Sequence, residues 1–220
     1  MTVRASVTLK IATSLDSRIA LSNGVSQWIT GPEARARAHQ MRAAHDAVLV
    51  GIGTVLADDP LLTARTVPLP QMQPVRIVAD SRLRAPSSAR LLQSASAGKV
   101  VIAHGSELAS KREAMPAGVE TWAVGGVDGR VDPSELLRRA RGEGLNRIFL
   151  EGGGQLAASF VRLGLVDRIE WFRAPIILGG DGLPAIAGLG LDAISKASHW
   201  RLKQSEKIGN DILESWVKAD

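Results

Sequence analysis

The chain has 220 residues and is 45% hydrophobic, which suffices for the core of one α/β domain without disulfides or metal ions. The complete lack of cysteine excludes disulfides, thiolate metal sites and cysteine nucleophiles, and is compatible with a reducing compartment. The formal net charge of +5 favours anionic ligands, but the cations are scattered and only 4% of residues are aromatic, so phosphorylated metabolites fit better than nucleic acid.

Apolar runs alternate with helical patterns almost from one end of the chain to the other. Six runs are short, mostly β-branched and bounded by Gly, Pro or charged residues, which is typical of buried strands in a parallel sheet. These predicted strands are 7–12, 47–52, 75–79, 99–103, 121–124 and 147–150.

Three segments have helical patterns. The first, 32–45, begins with a proline after Thr-Gly, a favourable first helical position. The second, 132–141, opens with Asp132 and has Glu135 three residues later, which resembles a capping box. The third, 155–163, is apolar on one face and is followed by a glycine that can end it.

The last part of the chain changes to long strand patterns at 168–178 and 200–218, the latter with a turn near 209–211. Loops are predicted at 68–74, 85–96 and 179–190, and no linker is long enough to separate two domains. We therefore expect a single α/β domain over 1–220, with a mostly parallel central sheet, helices on both faces and antiparallel C-terminal strands.

A glycine-rich turn, Glu151 to Gly154, follows a predicted strand and precedes a predicted helix. Glycines allow the backbone to approach a ligand, and the helix amides can hold a phosphate. The segment formally satisfies the dinucleotide fingerprint, but in a Rossmann protein that turn follows the first strand, whereas several strands precede it here. Phosphate binding in another fold and simple helix packing are the other interpretations.

Two arginines, Arg42 and Arg65, are candidate phosphate ligands, because guanidinium groups bind phosphate in a bidentate way. The segment Asp80-Ser81-Arg82 ends a strand, where a hydroxyl and a cation suit the 2′-phosphate of NADPH. Each arginine could equally be a solvated surface charge.

The remaining candidates each have a structural alternative. Asp58 and Asp59 could serve acid–base chemistry or bind Mg²⁺, although a turn before proline is the preferred interpretation of Asp59. Trp28 could cover a nicotinamide or another heterocycle, or pack in the core. The four histidines lack metal-ligand spacing, so no metal is expected, and no nucleophile elbow of a serine hydrolase occurs.

Several motifs together make the chain resemble the reductase domain of bacterial riboflavin-biosynthesis deaminase/reductase proteins, whose fold is like that of dihydrofolate reductase. They occur in family order over roughly residues 5 to 190: TLKIA at 8–12, SLD at 14–16, SQWIT at 26–30, TVLADDP at 54–60, RIVADSR at 76–82, EGGG at 151–154, LGLVD at 163–167 and APIILGG at 174–180. The chain departs from the family pattern at Ser17, where glycine is usual, and at Gly154, where proline is common.

The resemblance implies an NADPH-dependent reductase that opens and reduces the ribosyl group of 5-amino-6-(5-phosphoribosylamino)uracil, or of a close diaminopyrimidine analogue, by hydride transfer to C1′. The implied catalytic residues are Lys10 and Glu151. The implied substrate ligands are Ser26, Arg42, Leu62 and Arg65, and the implied NADPH ligands are Ala12, Trp28, Thr54, Asp58, Ser81, Gly152, Gly153 and Gly154.

The resemblance also implies a homodimer, for which Trp171, Phe172 and Trp216 could supply an interface or be core residues. Without cysteine there is no zinc signature of the companion deaminase, so a stand-alone reductase is expected. No apolar run of about 20 residues occurs, and we expect a soluble, cytoplasmic protein without membrane association. The alternatives are a reductase of a dihydropterin or another heterocycle, and a non-catalytic protein that binds nucleotides or nucleic acid.

Overall fold

The computed structural model describes residues 4–105, 115–126 and 128–219. The strands are β1 (Ser6–Thr13), β2 (Arg18–Ala20), β3 (Ala47–Gly51), β4 (Val75–Ala79), β5 (Val100–His104), β6 (Val119–Ala123), β7 (Arg147–Glu151), β8 (Arg168–Arg173), β9 (Leu183–Pro184), β10 (Trp200–Ile208) and β11 (Asp211–Lys218). The α-helices are α1 (Pro32–Ala43), α2 (Ile52–Asp58), α3 (Arg90–Gln93), α4 (Pro133–Gly142) and α5 (Gly154–Arg162). Short 3-10 helices lie at Ala95–Ala97 and Ile194–Lys196.

One of two compact units comprises the residues up to 6 and residues 39–149. Its strands follow the order β7-β3-β4-β5-β6, and β3 with β4, β4 with β5 and β5 with β6 pair in parallel. The register places Leu49 opposite Ile77 and Ile77 opposite Val101, and all three side chains are fully buried. Strands covered on both faces need apolar residues at every position, which explains the continuous apolar runs of the sequence.

The other unit comprises residues 7–38 and 150–220. Its strands follow the order β10-β11-β8-β1, ending with the last two residues of β7. Strand β1 pairs with β8 in parallel, whereas β8 with β11 and β10 with β11 are antiparallel. The prediction of a mostly parallel sheet with antiparallel C-terminal strands is thereby confirmed, while the single domain over 1–220 stays a prediction.

The structure corrects several predicted element boundaries. Strand β8 ends at Arg173 rather than at residue 178, because Pro175 has no N–H for a sheet ladder. The predicted loop 85–96 contains α3, and the predicted loop 179–190 contains β9, which pairs with the unpredicted β2. These elements, like the unpredicted α2, have at most seven residues, too few for a readable periodicity. Of the three aromatic residues considered for an interface, Phe172 is a core residue.

Only half of the predicted capping box forms at α4. The Asp132 carboxylate accepts hydrogen bonds from the backbone amides of Ser134 and Glu135, at 2.7 and 3.3 Å. The Glu135 carboxylate binds the Arg138 guanidinium instead of returning to the Asp132 amide, which donates to the carbonyl of Val124. The helix therefore begins where predicted, with one of the two expected contacts.

Ser17, the residue that replaces a family glycine, lies in the left-handed region with φ of 63°. Its amide donates to the carbonyl of Ser14, and its carbonyl accepts from the amide of Ala185. The backbone is thus held in a conformation that residues with a Cβ adopt at a cost of about 1–2 kcal/mol.

We expect Ser17→Gly to raise the free energy of unfolding by about 0.5–1 kcal/mol. Glycine removes the cost of the left-handed conformation, and its greater freedom in the unfolded chain offsets about 0.4–1 kcal/mol of that gain. Urea unfolding measures the change. Ser17→Ala keeps the Cβ and should stay within about 0.5 kcal/mol of the wild type. A destabilised Ser17→Gly variant would contradict the argument.

Candidate active site

The two predicted catalytic residues, Lys10 and Glu151, lie on neighbouring strands of the unit that contains 7–38 and 150–220. Lys10 and Ala12 share one face of β1, because side chains alternate along a strand and the buried Leu9 and Ile11 occupy the other face. The Lys10 Nζ lies 5.9 Å from the centre of the Phe172 ring. Glu151 is the last residue of β7, and its exposed fraction is 7%.

The predicted glycine turn follows Glu151 directly. Gly152 and Gly153 have φ of 81° and 84°, a left-handed conformation that glycine adopts without steric cost. At Gly154 the constraint is space, since a Cβ there would lie 2.7 Å from the carbonyl oxygen of Pro184. The three glycines are therefore required for two different reasons.

The same turn leads into α5, a helix of nine residues whose N-cap, Gly153, has no side chain to cap the first amides. Amides at a helix N-terminus carry a partial positive charge and bind phosphate groups. A glycine turn with side-chain-free backbone and uncapped amides fits the pyrophosphate of a dinucleotide.

The turn around Trp28 exposes the indole instead of burying it. The exposed fraction of Trp28 is 69%, which is incompatible with a core position. The guanidinium of Arg35 lies 4.4 Å from the centre of the indole ring and also donates to the carbonyl of Thr30. Ser26, in the same turn, is half-buried. The indole is thus held by a cation and remains open on the outside.

Asp211 holds the end of this turn and was not among the predicted site residues. Its buried carboxylate accepts a hydrogen bond of 2.7 Å from the amide of Gly31, which lies 180 residues away in the chain. The sequence pattern predicted only a turn near 209–211, and no local signal connects an aspartate in a hairpin turn with a distant backbone amide.

Two of the resembling motifs meet at Asp16. Its carboxylate accepts hydrogen bonds from the amides of Leu178 and Gly179, at 3.1 and 2.7 Å. A hydrogen bond with Ser14, followed by these amides, lowers the pKa of Asp16 from 3.8 to about 2. The SLD motif therefore holds the APIILGG motif in place.

This contact predicts a pH dependence of stability. Because the pKa of Asp16 is lower in the folded state, its contribution is fully present above about pH 4 and is lost as the pH falls towards 2. We expect Asp16→Asn to lower stability at neutral pH and to flatten the decline between pH 4 and 2, measured by urea unfolding. Asp192→Asn, which changes an exposed carboxylate paired with Lys196, should keep the wild-type slope. Parallel pH profiles of wild type and Asp16→Asn would refute this.

In the unit that contains 39–149, two predicted substrate residues lie in an irregular segment, 61–65. Leu62 is buried, with an exposed fraction of 3%, and has φ of 56°, which is rare for a bulky residue. Arg65 is exposed, and one of its nitrogens lies 3.4 Å from the Thr63 hydroxyl. Arg42, on α1, donates from Nη1 to the carbonyl of Thr63, so it contacts the backbone next to Leu62.

More side chains bind the backbone of this segment. Arg76 Nη1 donates to the carbonyl of Leu61, and His39 Nδ1 accepts from the amide of Arg65. The side-chain amide of Gln73 forms hydrogen bonds with both the amide and the carbonyl of Ala64. Burial lowers the pKa of the Arg76 guanidinium, which donates to the carbonyl oxygens of Leu61, Ser94 and Gly98 and to the Ser94 hydroxyl. None of Gln73, Arg76 and His39 was predicted as a site residue.

The predicted cofactor residues of this unit lie at strand exits. Thr54 and Asp58 are four residues apart on α2 and share one helix face. Ser81 follows β4, and its Oγ accepts from the amide of Val131 at 3.0 Å, which leaves the hydroxyl hydrogen to donate to a ligand. Asp59 ends α2 with φ of 39°, and its carboxylate accepts from the amide of Arg90, 31 residues further along the chain, rather than from a local amide.

Within the described ranges, no three His, Asp or Glu side chains are grouped as a metal site requires. No helix in the described part of the chain is long and apolar enough to cross a membrane.

The chain matches the model of the RibD C-terminal domain family over residues 5–213. The match continues past residue 190, where the motif resemblance was expected to end.

The relatives that match this chain have two different lengths. The riboflavin biosynthesis protein RibD of Actinobacillus pleuropneumoniae is 40% identical over 219 residues, which are 98% of this chain and 57% of that protein. The chain thus spans little more than half of the first curated relatives. The 2,5-diamino-6-ribosylamino-4(3H)-pyrimidinone 5′-phosphate reductase of Methanothermobacter thermautotrophicus is 37% identical over 223 residues, which are 98% of this chain and 99% of that protein.

Among solved structures, RibD of Acinetobacter baumannii superimposes with a TM-score of 0.82 at 28% sequence identity. The superposition covers 100% of this chain and 59% of that chain.

Proposed function

The chain belongs to the RibD C-terminal domain family, and from this membership we propose that it is an NADPH-dependent reductase of a phosphoribosylaminopyrimidine in riboflavin biosynthesis. The observation that carries the proposal is 37% identity over 99% of an archaeal protein named as a reductase of such a substrate. The fold is the dihydrofolate-reductase-like α/β fold of that family. The reaction would convert the ribosyl group to ribityl.

NADPH binding is proposed for the residues that the family resemblance implies. NADPH supplies the hydride, and the protein binds and orients the nicotinamide. The uncapped amides of the glycine turn and α5 suit the pyrophosphate, and the exposed Trp28 indole offers a flat apolar surface to a ring. The free hydroxyl hydrogen of Ser81 suits a 2′-phosphate oxygen, which favours NADPH over NADH. Ala12, Thr54 and Asp58 complete the proposed set.

Catalysis is proposed for Lys10 and Glu151. Hydride transfer to C1′ of a ring-opened imine requires that the sugar hydroxyls be polarised and a proton be supplied. The Lys10 ammonium can donate to a sugar oxygen, and the Glu151 carboxylate, almost completely buried at the end of β7, can accept from a sugar hydroxyl. In a site shielded from water, such interactions are stronger than in solution.

Substrate phosphate binding is proposed for Arg42 and Arg65, with Ser26 and Leu62. Arg65 is an exposed residue of the segment 61–65. Arg42 donates to the Thr63 carbonyl of the same segment, and guanidinium groups bind phosphate in a bidentate way. A phosphoribosyl substrate carries a phosphate for such cations, whereas a dihydropterin has none, so this pair favours the pyrimidine reductase over the pterin alternative.

The decisive experiment is NADPH oxidation by the purified protein with fresh 5-amino-6-(5-phosphoribosylamino)uracil or its 2,5-diaminopyrimidinone analogue. We expect substrate-dependent oxidation that yields the ribitylamino product. Arg65→Ala should raise KM by about 10- to 100-fold, since a charged hydrogen bond contributes about 1.5–3 kcal/mol. NADPH binding without turnover of either pyrimidine would exclude this substrate class, and pterins would be tested next. The absence of NADPH binding would refute the reductase assignment.

Glu151→Gln tests the catalytic proposal. The amide keeps the shape of the side chain but loses the charge, so we expect kcat to fall by about 100-fold or more while NADPH affinity is retained. Steady-state kinetics and a fluorescence titration with NADPH measure the two quantities. Glu120→Gln, which removes a surface carboxylate paired with Lys99, is the matched control. If Glu151→Gln turns over like the wild type, Glu151 has no catalytic role.

The homodimer implied by the resemblance and the cytoplasmic location expected from the sequence stay predictions. Light scattering of the purified protein tests the dimer.

A further inference from the structure

The side-chain amide of Gln73 binds the backbone of the segment that carries Leu62 and Arg65. We propose that Gln73 is a positioning residue that sets the geometry of 61–65 and thereby the affinity for the phosphorylated end of the substrate. This inference rests on the proposed function, in which Arg65 binds that phosphate.

The contact between Gln73 and Ala64 has two points. Gln73 Oε1 accepts from the Ala64 amide at 2.8 Å, and Gln73 Nε2 donates to the Ala64 carbonyl at 3.0 Å. One hydrogen bond fixes only a distance, whereas two hydrogen bonds with the same planar side-chain amide also fix the orientation of the Ala64 backbone. Ala64 is fully buried and is followed directly by Arg65, so its orientation determines where the Arg65 side chain starts.

The segment depends on such contacts because it has no regular secondary structure. Buried backbone groups outside helices and strands need side-chain or water partners. Other partners of this segment are the cationic Arg76 and Arg42 and the imidazole of His39. Gln73 is uncharged, so its removal changes the geometry of the segment without changing the charge near the phosphate.

Leu62 adds a reason for the segment to relax when a contact is lost. Its φ of 56° is costly for a residue with a Cβ, and such conformations persist only where the surroundings impose them. The Ala64 contact lies two residues further along the chain. Without it, Leu62 can return towards an ordinary conformation, which would move the backbone that leads to Arg65.

The test compares Gln73→Met with Gln71→Met. Methionine has nearly the length of glutamine but cannot form the two hydrogen bonds, and Gln71 is an exposed glutamine of the same loop. We expect Gln73→Met to raise KM for the phosphoribosyl substrate by about ten-fold, because a displaced Arg65 guanidinium would bind the substrate phosphate in a poorer geometry. We expect kcat and the Kd for NADPH to stay within about two-fold of the wild type. Gln71→Met should leave all three unchanged.

A double-mutant cycle with Arg65→Ala shows whether Gln73 acts through Arg65. Where two residues act as a unit, the second substitution adds little, so Gln73→Met should change KM by less than about three-fold in the Arg65→Ala background. Equal factors in both backgrounds would overturn the inference, as would an unchanged KM in the single variant. A general loss of structure would lower kcat and NADPH affinity together and would also overturn it.

Calorimetric binding of ribose 5-phosphate separates this inference from the proposed function. Because this measurement needs no turnover, weaker binding by Gln73→Met supports the positioning role even if the pyrimidine substrate proves wrong. If the wild type and Gln73→Met bind ribose 5-phosphate equally, or if neither binds it, the positioning role is refuted. Gln73→Leu also removes both hydrogen bonds without adding a charge, and serves as a second variant if Gln73→Met does not fold.

Discussion

The shape of several irregular segments depends on hydrogen bonds between polar side chains and the backbone of those segments. Buried N–H and C=O groups cannot remain without partners, and in these segments no ladder or helix supplies them. Asp16 binds the amides of Leu178 and Gly179, Asp211 binds the amide of Gly31, and Gln73 binds Ala64. The APIILGG motif, the turn around Trp28 and the segment 61–65 thus depend on these few polar contacts for their shape.

The same requirement separates polar side chains that support the backbone from side chains that are proposed to meet a ligand. Arg76 is fully buried, and its guanidinium donates hydrogen bonds to hydroxyl and carbonyl oxygens. Asp80 is equally buried, and its carboxylate accepts a hydrogen bond from the amide of Ala85. Arg65 and Trp28 are exposed, and Ser81 retains a donor. A basic composition by itself does not reveal this division, because an arginine that supports a loop and one that meets a phosphate look alike in the sequence.

The family motifs combine the two kinds of residue. Within the segment 76–82, Arg76 supports the loop before it, and Ser81 is proposed to meet the cofactor. Within 151–154, Glu151 is proposed to meet the substrate, whereas Gly154 is required by the nearby carbonyl of Pro184. A matching motif therefore identifies a family more reliably than it identifies which of its residues carry chemistry.

The sequence by itself determined the order of the long elements, the parallel β–α pattern, the Asp132 cap and the glycine turn, because periodicity, capping and glycine conformation are local properties. Only the tertiary structure decided that Trp28 is exposed, that Asp211 binds the amide of Gly31 and that Gln73 binds the backbone of Ala64. These outcomes depend on tertiary contacts. The local sequence around a polar side chain does not show which backbone group it will bind in the folded protein.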